Sequence, residues 1–361
     1  MEFSIKNVSL FRSIIPMGII VAVWIYLSAI VGCIISDSGE KDLPYPKSNI
    51  VEGILWDFDN MLQLAPGSDL WPATWGPDNN IYVSWGDGGG FGGTNSDGRV
   101  SIGFGLIKGI PPGFEGINLS GGKNASYPVN IHGKCAGMLY VNNIIYAWLN
   151  LKNSDPPDIR LAWSSDFCRT WQISEWKFPE DDFFPATFLN FGQNYEGARD
   201  DYIYFYGGPW GFGINHYLAR AKISKLQNKD SYEYFEGIRS DGTVNWTREI
   251  KSRKPIMVDK NGIRNIVSII YNKGIRRYIA TTSHGDVGQL SVFDGPEPWG
   301  PWTTVAYYNK WGKFTKGESL AYVFPTKWIS SDGKTMWMIF SSTKKLDSYN
   351  LVKATLSLTK P

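Results

Sequence analysis

One pattern returns five times along this chain and limits what it can fold into: an apolar strand, a short turn carrying Asn, Asp or Gly, then a second strand rich in Tyr and Trp. The copies are LWPATWGPDNNIYVSWGDG from Leu70, NIHGKCAGMLYVNNIIYAWLN from Asn130, FFPATFLNFGQNYEGARDDYIYFYGG from Phe183, NIVSIIYNKGIRRYIATTSHG from Asn265 and SLAYVFPTKWISSDGKTMWMIFSS from Ser319. A third strand follows each copy, in VSIGFGLIKG, IRLAWSS, HYLARAKIS, GQLSVFD and YNLVKATLS, and WQISEWKF and WTTVAYY supply a fourth in two of them. Past residue 65 there is almost no helical periodicity, so the chain is expected to be all-β. LWPATW and FFPATF are near duplicates at matching places in their units, which a repeat requires and a β-sandwich does not. The expected architecture is a five-bladed β-propeller over residues 50–361, with four-stranded antiparallel blades around a central channel. A β-sandwich of compositionally similar hairpins is the alternative.

SSDFCRTW, Ser164 to Trp171, supports the propeller. It resembles the Asp-box of sialidase-type propellers, Ser-x-Asp-x-Gly-x-Thr-Trp, with Cys168 in the glycine position. Such a turn is structural: Asp166 is expected to cap backbone amides and Trp171 to pack between sheets. Cys168 and Cys135 are expected as buried free thiols, with a mutual disulfide as the alternative.

The amino terminus carries Lys6 and Arg12 ahead of an uncharged apolar run from Ser13 to Ile35, long enough to span a bilayer at about 20 residues. AIVGC at its end resembles a bacterial lipobox, which implies cleavage and lipidation at Cys33; an uncleaved transmembrane helix is the other reading. Either fate exports the remainder and tethers it to a membrane, because the positive residues precede the apolar run. Residues 1–35 therefore read as a lipoprotein-type signal peptide or an anchor, and 36–49 as a polar tether. A formal net charge of only +2, with scattered basic residues, excludes a nucleic-acid partner. Aromatics reach 15%, which suits either wide sheets or a groove for flat, amphipathic ligands such as sugars. A monomer is expected.

Gly88, Gly90 and Gly93 spell G-x-G-x-x-G after an apolar strand. A phosphate cradle needs a helix opening at the third glycine. Here TNSDGR and then a second strand follow, so the spelling carries no dinucleotide site. Asp87, between strand and glycine cluster, has a different use. In a propeller the first strand of each blade lines the channel and the second runs back, so first-strand starts and second-strand ends share one face. First-strand starts supply Asp69, His132, Asp182, Arg264 and Glu318; second-strand ends supply Asp87, Asn150, Trp210, His284 and Asp286. Glycoside cleavage needs one carboxylic acid for the leaving oxygen and one carboxylate as base or nucleophile. Asp87 and Glu318 are the expected pair, with Asp69, Asp182 and Asp286 as substitutes. Asn150, His132, His284, Arg264 and Trp210 are expected to bind substrate, Trp210 by stacking on a ring. Each has an ordinary reading too: His132 as a satisfied core histidine, Arg264 in a structural ion pair, Asp182 as part of an exposed acidic turn.

No cofactor is expected, since the histidines lack a pair at metal-ligand spacing and the cysteines are isolated. A channel-bound Ca²⁺ is compatible with such a fold, though no motif calls for it. TWGPDNNIYVSWGDGGGF, the following VSIGFGLIKGIPP and the late VFDGPEPWGPWT resemble a family of exported bacterial five-bladed propellers long described as a domain of unknown function. Some of its members are endo-D-arabinanases, related in fold to arabinanase and levansucrase glycosidases. The resemblance covers residues 50 to 358 and implies a carbohydrate ligand, glycoside hydrolysis by acidic residues near the channel mouth, and Asp87 among them. The leading expectation is thus a membrane-tethered glycoside hydrolase acting on a furanose or related polysaccharide. A non-catalytic carbohydrate-binding propeller and a cell-surface protein-interaction propeller are the alternatives.

Overall fold

The computed structural model describes residues 43–151, 157–179, 181–265, 267–285, 289–314, 318–341 and 347–360. The chain divides into two compact units, Met1–Ile35 and Ser36–Pro361, and all described residues belong to the second. Cys33 and Asp286 fall outside them. Among the described residues no helix is long and apolar enough to cross a membrane.

The described chain is all-β, interrupted only by single 3₁₀ turns. Strand β1 is Val51–Leu64. An antiparallel sheet follows from β2 (Ala73–Trp75), β3 (Ile81–Gly86), β4 (Ile102–Ile110) and β5 (Gly113–Ser120). The next is β6 (Lys134–Val141), β7 (Ile144–Asn150), β8 (Ile159–Ser164) and β9 (Gln172–Ile173). A ten-stranded sheet then contains β10 (Phe184–Asn190), β11 (Tyr202–Gly208), β12 (Phe212–Lys222), β13 (Glu233–Ile238), β14 (Val244–Thr247) and β15 (Pro255–Arg264), followed by β16 (Ser268–Asn272), β17 (Arg277–Thr282), β18 (Leu290–Gly295) and β19 (Thr303–Tyr308). Its two antiparallel runs meet where β10 pairs with β16, in parallel, through Leu189 and Asn190, and again at a bridge between Ile263 of β15 and His284 just past β17. The last sheet is β20 (Leu320–Val323), β21 (Thr335–Ser341) and β22 (Tyr349–Leu358), with β1 added outside β22.

The five repeated hairpins are β2–β3, β6–β7, β10–β11, β16–β17 and β20–β21, as their spacing predicts. Local chemistry sets their turns. Asn142 and Asn143 both take left-handed φ, 49° and 63°, between the paired Val141 and Ile144. That is the two-residue turn whose twist matches the strands it joins, and asparagine tolerates it. Second strands such as β3 are buried along their whole length, so they read as unbroken apolar runs without a polar face.

The sheets pack on one another in sequence. One apolar cluster joins β2–β5 to β6–β9 through Phe104, Met138 and Tyr140. A larger one joins β6–β9 to the ten-stranded sheet through Trp148, Phe188 and Phe205, and a third joins its second run to the last sheet through Ile279, Trp311 and Phe340. The fourth cluster packs Trp71 and Trp85 of the first sheet against Tyr349, Leu351 and Ile339 of the last. Packing therefore returns to its starting sheet in a propeller-like manner, and β1 fastens the return by pairing with β22 from Val51↔Leu358 to Leu64↔Tyr349.

The expected tether differs from the structure. Residues 43–49 already belong to the fold: Pro46 O accepts from Thr304 N at 2.8 Å, Ser48 N donates to Thr304 O at 2.9 Å, and the Tyr45 hydroxyl accepts from Val258 N at 2.6 Å. Tyr45 also sets its ring edge-on to Phe293 at 5.4 Å. The polar composition hid this because the contacts are mostly backbone bonds.

SSDFCRTW forms the turn between β8 and β9, the outer strands of their sheet. Asp166 accepts from Thr170 N at 2.9 Å, and Trp171 packs on Phe104 with ring centroids 4.6 Å apart. Cys168 has φ 67°, the left-handed conformation for which glycine is suited, and is fully buried as a free thiol, as is Cys135.

Trp71 is fully buried and stands at the seam, 5.5 Å from Trp85 and 5.0 Å edge-on from Tyr349. Trp71→Ala is expected to cost about 3–5 kcal/mol of unfolding free energy, as large aromatic truncations do, measured by denaturant titration. A loss under about 1 kcal/mol would mean the seam does not hold the fold closed.

Candidate active site

Residues in the opening halves of β2, β6, β10, β16 and β20 line one cavity of about 470 Å³. The near-duplicate stretches Pro72, Ala73, Thr74 and Pro185, Ala186, Thr187 form equivalent parts of its wall. A channel-facing first strand has a free edge, which tolerates proline, and small side chains keep the lumen open. The ends of second strands reach the same cavity with Asp87, Asn150 and Trp210. The geometric rule of strand starts and ends thus places Asp69, Asp87, Asn150 and Trp210 on the cavity, and Arg264 lines it as well.

Asp69 and Gly86 exchange backbone hydrogen bonds of 2.8 and 2.9 Å just ahead of β2, which fixes the aspartate against the end of β3. Its Oδ1 is buried with no hydrogen-bond partner among the described residues. Burial pushes the Asp69 carboxyl up to about 7; Lys134 opposes the rise, and the neighbouring Asp347 and Asp87 add to it. Asp87 leaves β3 with φ 57°, a left-handed conformation that aspartate accepts more readily than most residues. Its Oδ1 lies 2.6 Å from Lys134 Nζ and 3.3 Å from Arg99 Nη2. Lys134 Nζ also donates to Ser101 O at 3.1 Å. The glycine run beyond Asp87 is a loop that leads into β4 without any helix, held by Asn118, whose Nδ2 donates to the carbonyls of Gly89, Phe91 and Lys123 at 2.8 to 3.2 Å.

The third carboxyl here was not anticipated. Asp347 precedes β22, accepts at its carbonyl from Gly67 N at 2.6 Å, and has its carboxyl raised by burial and by Asp87. Nothing in KKLDSYN announces this, because only closure of the last sheet onto the first brings it near. Lys134 had a weak signal: it opens β6, whereas the strand-start rule selected His132, two residues early.

Other expected residues are placed elsewhere. Glu318 sits two residues before β20 and does not line the cavity; the wall there begins at Ala321, whose φ of 57° turns the chain. Asp182 is exposed in a left-handed turn beside Asp181, which pairs with Arg253, and the wall of its strand starts only at Pro185. His132 is exposed at the rim, with Nδ1 3.5 Å from Ser101 Oγ. His284 is a buried structural histidine: Nδ1 meets Ser291 Oγ at 2.7 Å, Nε2 meets Asn309 Oδ1 at 3.2 Å, and the ring stacks on Tyr307 at 3.5 Å. Burial lowers it to about 4, so it is neutral at ordinary pH. Trp210 is 40% exposed over the cavity, its ring 6.0 Å from that of Phe184. Arg264 arrives as the last residue of β15, which pairs with the opening half of β12, rather than as a first-strand start. Among the described residues no group of three His, Cys, Asp or Glu side chains could hold a metal ion.

A family model described as a domain of unknown function, DUF4185, matches residues 150–354. No curated protein matches the chain. Among solved structures, a Bacteroides ovatus protein with a provisional hydrolase assignment superposes with a TM-score of 0.55 at 13% identity, covering 83% of this chain and 90% of that one. At that identity the likeness is one of fold. A GH43_1 enzyme of Xanthomonas citri gives 0.49 at 12% identity over 84% and 93% of the two chains. A family 117 glycoside hydrolase of Zobellia galactanivorans gives 0.44 at 8% over 86% and 91%.

Because the folded carboxyl of Asp69 is raised, its proton favours folding. That contribution is whole below about pH 4, the unfolded value, and is lost as pH rises through about 7. Asp69→Asn is therefore expected to be more stable than the parent at pH 8, with the difference shrinking toward pH 4, in denaturant titrations at both. A difference independent of pH would show that Asp69 is not displaced.

Proposed function

We propose that this chain, which belongs to the DUF4185 family, is an exported, membrane-tethered glycoside hydrolase built as a five-bladed propeller of four-stranded blades. The observation that carries the reading is the pair of carboxyls on one cavity. Asp69 holds a buried oxygen with no hydrogen-bond partner among the described residues, and Asp87 is ion-paired, with Lys134 adjoining both. Contacts through Lys134 keep the two carboxyls inside the roughly 10 Å that glycoside cleavage allows. Asp69, protonated up to about pH 7, donates its proton to the leaving oxygen. Asp87 acts from the other side of the bond as base or nucleophile. Trp210 offers a partly exposed ring at the cavity for a sugar face, and Asn150 and Arg264 offer polar contacts.

The substrate proposed is a furanose-containing polysaccharide, from the family's resemblance to endo-D-arabinanases. Export and anchoring rest on the apolar run from Ser13 to Ile35, with Cys33 as the proposed lipidation site. A second reading has a specific basis: Asp87 Oδ1 already contacts Lys134 and Arg99. This suits a non-catalytic carbohydrate-binding propeller in which the acidic groups only hydrogen-bond sugar hydroxyls.

Incubating the detergent-solubilised full chain with a panel of furanose and pyranose polysaccharides, and reading both retention and released oligosaccharide, separates the two. Hydrolysis is expected, with Asp69→Asn and Asp87→Asn each lowering kcat by about 10²–10⁴-fold. Retention without release supports the binding module; neither outcome on any glycan removes the carbohydrate reading.

A further inference from the structure

Between the two carboxyls stands a group whose role neither the fold nor the family supplies. Lys134 opens β6, in a different sheet from Asp69 and Asp87, and its ammonium is largely enclosed, with 17% of the side chain exposed. It reaches 2.6 Å from Asp87 Oδ1 and 3.1 Å from Ser101 O. It also shares a narrow space with Asp69. A methyl group on Gly86 would lie 2.5 Å from Asp69 Oδ1, 2.7 Å from Lys134 Cδ and 3.1 Å from Lys134 Nζ. Gly86 does not take left-handed φ, so backbone conformation does not demand glycine there. What demands it is room: the lysine stem and the Asp69 carboxyl lie together over its bare Cα.

We infer that Lys134, seated on Gly86, is the positioning residue that sets the protonation of Asp69 while aiming Asp87, and that Gly86 is glycine to let it do so. This rests on the proposed hydrolase reading for its consequence, though not for its geometry. Asp69 and Asp87 line the cavity and Asp347 acts on both from beside it, so negative charge is concentrated there, and each unscreened carboxylate raises its neighbours. Without a cation inside, Asp69 would keep its proton too firmly to release it. Arg99 is the other cation that acts on this cluster, but it is 43% exposed on its side chain and does not line the cavity. As the proton passes from Asp69 to the leaving oxygen of the scissile bond, a carboxylate is left on Asp69. The ammonium beside it stabilises that charge.

The test needs no substrate for its first readout. The ¹³C carboxyl resonance of Asp69, identified by its disappearance in Asp69→Asn, is titrated in the full chain in detergent, in the parent and in Lys134→Met, Lys134→Arg and Gly86→Ala. Loss of the cation in Lys134→Met is expected to move the Asp69 titration upward from about 7 by roughly 1 unit or more. Lys134→Arg is expected to restore most of the shift. Gly86→Ala, which keeps the charge but displaces it, is expected to move the titration in either direction while Lys134 remains. On any glycan that the parent cleaves, the alkaline limb of the rate profile should follow the same order. An Asp69 titration unchanged in Lys134→Met, with the variant folded by circular dichroism, overturns the inference whatever the activity. A shifted titration in a protein that cleaves nothing leaves the electrostatic role standing and removes the hydrolase reading instead.

Discussion

The pairing of β1 with β22 holds together elements that are nearly the whole chain apart. A row of packed sheets has two free ends, and each end exposes an apolar face; here the first sheet covers the last, through Trp71, Trp85, Tyr349 and Leu351. The N-terminal strand then occupies the outer edge of the C-terminal sheet, so chain closure and sheet closure reinforce each other. Breaking either would re-expose aromatic surface worth about 25 cal/mol per Å². The functional site depends on the same event. Asp69 and Asp87 come from the first sheet, Lys134 from the second and Asp347 from the last, and the backbone bond from Gly67 to Asp347 crosses the seam.

Electrostatics at the cavity follow from that gathering. Three carboxyls brought near one another in a partly desolvated space cannot all ionise freely, and two of them, Asp69 and Asp347, are raised. The cations are arranged unevenly, Lys134 lining the cavity and Arg99 reaching Asp87 from outside its wall, so the carboxyls are not equivalent. Inequivalence of this kind is what acid–base chemistry requires from residues of one type. Two of the three histidines lie elsewhere: His284 is neutral and buried against Tyr307, and His216, lowered to about 4 by burial, sits inside the ten-stranded sheet.

Much of the fold was legible because strand pairing here is local. Each hairpin carries its own signal in an apolar run, a turn residue and a second run, and the two-asparagine turn at 142 and 143 shows that the local chemistry is sufficient. What escaped were elements without such a signal: β1, whose partner lies nearly three hundred residues away, and β13, β14 and β15, where the outer side of β12 is shared between two strands. The site divides in the same manner. Asp69, Asp87, Asn150 and Trp210 could be placed by strand geometry alone. Arg264 was selected for the wrong reason, as a strand start when it is the end of β15. Glu318, Asp182 and His132 failed because an error of two or three residues in a strand's first position changes which side chains reach the channel, and His284, two residues past the end of β17, turns inward onto Ser291 and Tyr307. Lys134 had only its place at the start of β6 to mark it, and Asp347 had no mark at all, since the importance of both exists in relation to carboxyls from other sheets.

The most direct measurement is a crystal structure of Asp69→Asn protein holding a furanose oligosaccharide. If distant carboxyls serve one bond, the sugar should lie in the cavity against Trp210, with its glycosidic oxygen within hydrogen-bond reach of position 69 and its anomeric carbon facing Asp87. An oligosaccharide bound on another surface, or in the cavity with Asp87 still closed onto Lys134 and turned from the sugar, would contradict it.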